Sequence, residues 1–250
     1  MDNLKDRERT IVQLLADNPL LSVNDLSERL GVSVVTARSD MDSLAEKGYL
    51  VRIRGGALPA FHPDIIARQQ SHIDEKRRIA RAAAEMVGDG DSIMIESGTT
   101  TALIARFLLG KKDLKVVTDS TLILPFVRAN PMISLAFVGG IFRPGTESMV
   151  GPVTIAELSQ FHVRIAFVGA DGVSAEHGLT TNFVEAAEVS RTMARHCDKT
   201  VLVVDSSKFG NRGFIQVMPI SDVDVVITDR DISPAMQRDI EACGVKTILA

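Results

Sequence analysis

The chain has 250 residues, 45% of them apolar and 24% charged, with a formal net charge of −4. That is the make-up of a globular protein with room for one small and one larger domain. The negative charge excludes a protein that coats nucleic acid regardless of sequence, so any DNA binding must rest on where the cations sit.

No apolar run approaches the ~20 residues needed to cross a bilayer, and the first residues lack the apolar core of a signal peptide. The chain is therefore expected in the cytoplasm, with no membrane partner. Cys197 and Cys243 are the two cysteines. Each lies in an apolar-patterned segment, so both are expected to be buried free thiols rather than a disulfide. The five His show no paired metal spacing, and neither a metal nor a cofactor is expected.

Taken in order, Lys5 to Ala16 reads as a first helix ended near Asn18-Pro19. Ser22 caps a second, with Asp25 in its first turn complementing the dipole, and that helix runs to Leu30. Gly31 turns the chain into a third helix, capped by Ser33 and stopped near Gly48. In it Ala37, Met41 and Leu44 fall at i, i+4 and i+7 and form a buried stripe. Val35, Thr36, Arg38, Ser39 and Asp42 then point elsewhere. With Ser33, the outward residues near its start are short, hydroxyl-bearing or cationic, which suits insertion into a DNA major groove. Asp40 is out of place on a DNA face and is expected to pair with a nearby Arg.

Tyr49 to Ala57 alternates like a short strand ending in a glycine turn, which places Arg52 and Arg54 on one strand face to meet backbone or minor groove. Helix, helix, turn, helix, wing describes a winged helix-turn-helix over residues 1–58. Residues 1–60 hold eight Lys or Arg against nine Asp or Glu. So few cations favour a dimer, which doubles the contacts. Pro59, Phe61, His62 and Pro63 break regular structure and read as the start of a linker, residues 59–73.

Residues 74–250 form the larger domain. A helix is expected over Asp74–Val87. Strands are expected at Ser92–Ile95, Lys115–Thr118, Ile133–Val138, Ile165–Val168, Thr200–Val204, Val223–Thr228 and Lys246–Leu249. Helices are expected at Thr101–Leu109, Thr121–Ala129, Thr154–Phe161, Glu185–His196 and Ser233–Cys243. The alternation makes this an α/β domain with a mostly parallel sheet covered by helices.

Ligands in such sheets bind beyond the carboxyl ends of the strands. The loops there are Glu96-Ser97-Gly98-Thr99-Thr100-Thr101, Thr118-Asp119-Ser120, Gly139-Gly140 with Arg143, Gly169-Ala170-Asp171-Gly172, and Asp205-Ser206-Ser207-Lys208. Hydroxyls and backbone amides can hold a phosphate, glycines admit a ligand to the backbone, and carboxylates accept from sugar hydroxyls. Each loop alone is compatible with an ordinary cap or turn. Their conjunction at five successive strand ends points to a small, polyhydroxylated, anionic ligand. Glu96 and Asp171 would take sugar hydroxyls; Arg143, Lys208 and the Thr99 and Thr100 amides would take the phosphate.

These residues resemble the DeoR family of bacterial sugar-metabolism repressors over nearly the whole chain. Val32-Ser33, Thr36-Ala37-Arg38-Ser39-Asp40-Met41 and Gly55-Gly56-Ala57 follow its DNA-binding signature. Glu96-Ser97-Gly98-Thr99-Thr100, Val117-Thr118-Asp119-Ser120, Gly139-Gly140, Gly169-Ala170-Asp171-Gly172 and Asp205-Ser206-Ser207-Lys208-Phe209 follow the motifs of its sensor half. Ser39 stands where the signature has a second Arg, and Glu96 and Asp119 stand for the usual Asp and Asn. The resemblance implies a winged-helix repressor whose sensor is similar in fold to ribose-5-phosphate isomerase and binds a phosphorylated sugar. The expected partners are double-stranded operator DNA, that effector, and further copies of the chain as a homodimer or homotetramer. The alternatives are a sugar-phosphate isomerase-like enzyme, in which Asp171, Glu96 and Lys208 would move protons, and an activator built from the same domains.

Overall fold

The structure is a computed structural model, and it describes residues 6–18 and 20–250. Lys5 and Pro19, used above to bound the first helix, lie outside the described residues. The chain divides into two compact units, the second beginning at His72.

The first unit holds α1 (Asp6–Asp17), α2 (Val23–Leu30) and α3 (Val34–Glu46). A hairpin of β1 (Leu50–Ile53) and β2 (Gly56–Pro59) follows, then α4 (Pro63–Gln70). α2 begins in a full capping box: the Asp25 amide donates to Ser22 Oγ, and the Ser22 amide donates to the Asp25 carboxylate. Gly31 ends it at φ +64°, a left-handed conformation that glycine enters without Cβ strain. The stripe of α3 is as expected, with Ala37, Met41 and Leu44 fully buried against Ile11, Leu15 and Leu26. β1 and β2 pair antiparallel with Ile53 opposite Gly56, so Arg54 lies in the hairpin turn rather than on the strand.

The segment read as an irregular linker contains α4. Pro63 is its first residue, where the missing N–H would have no intrahelical partner in any case, so it starts the helix instead of breaking it. Ile65 and Ile66 are its buried residues.

The second unit opens with α5 (Ile73–Glu85) and is built on seven strands: β3 (Ser92–Ile95), β4 (Leu114–Thr118), β5 (Ile133–Phe137), β8 (Ile165–Val168), β11 (Thr200–Val203), β13 (Val225–Thr228) and β14 (Lys246–Leu249). All seven expected strands lie in this one sheet and every pairing is parallel, in the order β14-β13-β11-β8-β3-β4-β5. Strands buried on both faces read as continuous apolar runs such as Ile165-Ala-Phe-Val168. Ile93, Ile95 and Phe167 pack on one face with Ile79 of α5 and Ile104 of α6 (Thr101–Arg106). Met94 and Ala166 pack on the other with Leu158 of α8 (Pro152–Leu158) and Met193 of α9 (Val184–Arg195). Ile240 of α10 (Pro234–Ala242) covers the same face farther along, with Leu202 and Val226.

The expected helix at Thr121–Ala129 is split into a 3-10 turn, Thr121–Ile123, and α7 (Leu124–Arg128). Pro125 is tolerated only in a first turn and sets the α-helical start. Two small antiparallel elements were not expected. One is the hairpin β6 (Ile141–Arg143) and β7 (Ser148–Val150). The other is a three-stranded sheet of β9 (Gly172–Ser174), β10 (Gly178–Thr181) and β12 (Ile215–Met218), in the order β12-β10-β9. Gly178 stands at φ +65°, where a Cβ would lie 2.1 Å from the Met218 carbonyl oxygen, so the close approach of β10 to β12 requires glycine. Cys197 and Cys243 are free thiols but half-buried, not fully buried as expected. Among the described residues no helix is long and apolar enough to cross a membrane.

Candidate nucleic-acid interface and effector site

The nucleic-acid candidate is the outer face of α3. Val35, Arg38, Ser39, Asp42, Ser43 and Glu46 line one open, shallow face. Val35 is 79% exposed. Ser33 caps the helix by accepting from the Thr36 amide at 3.0 Å, and the two hydroxyls lie 2.8 Å apart, so much of their hydrogen-bonding capacity is used locally. Asp40 does pair with an Arg. Arg7 of α1 grips it at 2.6 and 3.0 Å in a two-pronged geometry. Arg52 of β1 reaches Asp42 at 3.2 Å, which ties the hairpin to α3.

The second candidate lies at the carboxyl ends of the large sheet. From β3 the chain moves outward through β4 to β5, then returns to place β8 on the opposite side of β3. The loops leaving β3 and β8 therefore diverge, which is the switch point where ligands of such sheets bind. One side chain spans it. Glu96, just after β3, accepts the Gly169 amide, just after β8, at 2.7 Å on Oε2, and its Oε1 is hydrogen-bonded to Ser190 of α9.

Asp119, after β4, accepts the Ser97 amide at 2.8 Å on Oδ1, which joins a third loop to the other two. Its Oδ2 is buried without a hydrogen-bond partner. Glu96 and Asp119 are 5% and 1% exposed. Burial, reinforced by the neighbouring Asp119 charge, pushes the Glu96 carboxyl up to about 8; burial pushes Asp119 up to about 6. At neutral pH Glu96 is thus largely protonated.

The other expected effector residues fall into three settings. Thr118 and Ser120 are fully buried, and the Thr118 hydroxyl donates to the Ile95 carbonyl at 2.6 Å, so Thr118 braces β4 against β3. Gly139 and Gly140 are clasped by α8: Glu157 accepts the Gly139 amide at 2.6 Å, and Thr154 donates to the Gly139 carbonyl at 2.7 Å. A Cβ on Gly172 would lie 2.3 Å from the Asn211 carbonyl oxygen, so its glycine serves packing.

Ser97, Gly98, Thr99 and Thr100 are half-buried in the turn before α6. Asp171 accepts from the Thr181 hydroxyl at 3.0 Å and the Asn182 amide at 2.9 Å, both on Oδ2. Arg143 is paired with Glu185 in the first turn of α9. Lys208 is half-buried at the end of a 3-10 turn capped by Asp205. The structure thus brings Glu96, Ser97, Asp119 and Gly169 together through direct hydrogen bonds, while Arg143 stands at the end of β6 and Lys208 in the 3-10 turn after β11.

Sequence reasoning missed Ser190, Glu157 and Glu185. All three lie on helices, two of them in ordinary amphipathic patterns, and nothing in their spacing marks the loops they reach. Only the topology could have found them.

A family model of the DeoR-like helix-turn-helix domain matches residues 7–60, and one of the DeoR C terminal sensor domain matches residues 71–230. The HTH-type transcriptional regulator GlpR of Haloferax volcanii is 31% identical over 97% of this chain and 96% of its own. The HTH-type transcriptional repressor GlcR of Bacillus subtilis is 30% identical over 98% of this chain and 96% of its own. The glycerol-3-phosphate regulon repressor of Escherichia coli is 30% identical over 89% of this chain and 90% of its own. Among solved structures, ribose 5-phosphate isomerase A from Methanocaldococcus jannaschii overlaps 56% of this chain and 55% of its own at 22% identity, with a TM-score of 0.41.

Proposed function

The chain belongs to the DeoR family of transcriptional regulators, and on that premise we propose that it represses a carbohydrate-metabolism operon under the control of a phosphorylated sugar. Membership makes it a regulator rather than an enzyme, which sets the isomerase-like alternative aside.

Ser33, Val35, Thr36, Arg38 and Ser39 face the operator from the start of α3, and Arg52 and Arg54 face it from the wing. The observation that carries the effector half is the Glu96 carboxyl at the switch point, with Ser97, Asp119 and Gly169 gathered round it. Glu96 and Asp171 meet sugar hydroxyls. The Thr99-Thr100 turn, Arg143 and Lys208 meet the phosphate, with Arg143 exchanging Glu185 for it. Thr118, Ser120, Gly139, Gly140 and Gly172 shape the surrounding loops.

The protein acts in the cytoplasm as a homodimer or homotetramer, and its two-fold symmetry favours an inverted-repeat operator. A coupling of ~1–3 kcal/mol between effector and DNA changes operator affinity several-fold to about a hundredfold. The test is fluorescence anisotropy of the purified protein on DNA from upstream of its own gene and neighbouring promoters, at fixed salt, with a panel of sugar phosphates and the matching free sugars. Specific binding weakened by one phosphate and not by its free sugar supports the reading. Strengthened binding makes the protein an effector-dependent binder of the opposite sign. Insensitivity to every sugar phosphate overturns the effector assignment.

A further inference from the structure

Val35 is an anomaly on its helix. A β-branched apolar side chain in the first turn of α3 is 79% exposed, although Ala37, Met41 and Leu44 show that the same helix has a fully buried face. Its neighbours at i+3 and i+4 are Arg38 and Ser39, both exposed. Further along, the same face carries Asp42, already paired with Arg52, and then the exposed Glu46, whose charge opposes approach to phosphate. Base contact is therefore confined to the first two turns, where the Ser33 and Thr36 hydroxyls are already turned on each other. Of the two exposed valines there, Val34 at 38% and Val35 at 79%, Val35 shares the Arg38 face, so it is the apolar probe and Arg38 the cationic one.

In a major groove the apolar feature a base edge offers is the C5-methyl of thymine, while Arg is suited to the paired acceptors of guanine. We propose that Val35 is a specificity-determining residue that reads a thymine methyl, in each operator half-site, next to the base pair that Arg38 contacts. This rests on the DNA-facing assignment of α3. The apolar contact adds no charge, so it contributes sequence preference without adding to the salt dependence of binding.

The experiment starts from duplexes selected by the full-length protein from a random pool. Each dT of the recovered half-site is replaced singly by dU, which deletes only the methyl, and affinities are measured for the wild type and for Val35→Ala. One dT position per half-site should weaken wild-type binding about threefold to fivefold on replacement and leave Val35→Ala binding unchanged. Val35→Ala should keep the wild-type salt slope. Because the side chain is exposed, the variant should also keep the wild-type melting temperature.

The proposal is overturned if no dU position separates the two proteins, or if Val35→Ala lowers the salt slope. Failure to recover any preferred duplex would overturn the DNA-facing assignment itself, an outcome distinct from a recovered operator that is indifferent to dU.

Discussion

Arg7 holds Asp40 with two hydrogen bonds, Nε to Oδ2 at 2.6 Å and Nη2 to Oδ1 at 3.0 Å, and so links α1 to α3 across 33 residues of sequence. The pair neutralises an anion beside the proposed DNA face and fixes the rotation of α3 against α1. The pair is partly exposed, so its main effect falls on DNA affinity rather than on stability. Arg7→Gln should lower operator affinity several-fold with little change in melting temperature. Adding Asp40→Asn to that variant should recover most of the loss, which titrations of the four proteins on one duplex would reveal. Losses that simply add would show that the two residues act separately.

Arg38 is exposed on the first half of α3, and no ion pair involving it is found among the described residues. Arg38→Ala should weaken operator binding about tenfold or more at fixed salt, since a well-placed Arg carries substantial base discrimination. Its melting curve should overlay the wild type. Unchanged affinity at matched salt would remove Arg38 from the interface.

The carboxyl at the switch point makes stability depend on pH. Folding raises the Glu96 pKa to about 8 and the Asp119 pKa to about 6, so between their unfolded values and these the folded state binds more protons. Stability therefore falls as pH rises, from about 4 toward 8. Glu96→Gln imitates the protonated form and can still accept the Gly169 amide. Chemical denaturation at pH 6 and pH 8 should show the wild type losing stability with rising pH, on the order of a few kcal/mol at most. The variant should show a distinctly smaller loss, and equal slopes for the two proteins would contradict the assignment.

Lys208→Ala should spare operator binding and blunt the response to sugar phosphates, because Lys208 lies outside the recognition helix and wing. Gly172→Ala should act on the same response by a different route. The added Cβ meets the Asn211 carbonyl oxygen at 2.3 Å and forces the loop after Lys208 away from β9. Operator titrations with and without the responding sugar phosphate would check both. A normal response in Lys208→Ala would clear that residue of an effector role.

Much of this was legible in residue order. The seven strands of the parallel sheet are apolar-rich runs of four or five residues set between helices, and the α3 stripe of Ala37, Met41 and Leu44 follows from helical spacing alone. The Asp40 pairing followed from its poor fit on a DNA face, although its partner, 33 residues away, did not.

Three things were hidden for physical reasons. β6, β7, β9 and β10 are three or four residues long and mix apolar residues with Arg, Ser, Thr or Gly, so no apolar run marks them. Pro63 breaks a helix interior but starts a helix at its first position, so α4 looked like linker. The positioning of Glu96 by Ser190, and of Gly139 by Glu157, comes from helices packed across the sheet and has no local signature.

The hydrogen bonds that cap α2 and α3 span three residues each, Ser22 to Asp25 and Ser33 to Thr36, and the Arg7 to Asp40 link between α1 and α3 spans 33. Those that build the switch point close loops of 73 and 94 residues, from Glu96 to Gly169 and from Glu96 to Ser190. Large loops cost chain entropy before their contacts repay it, so the first unit should organise early and the switch point late. A chain severed between β7 and β8 would retain α3, its cap and its wing while lacking Gly169 and Ser190, leaving the proposed DNA face without the proposed effector site.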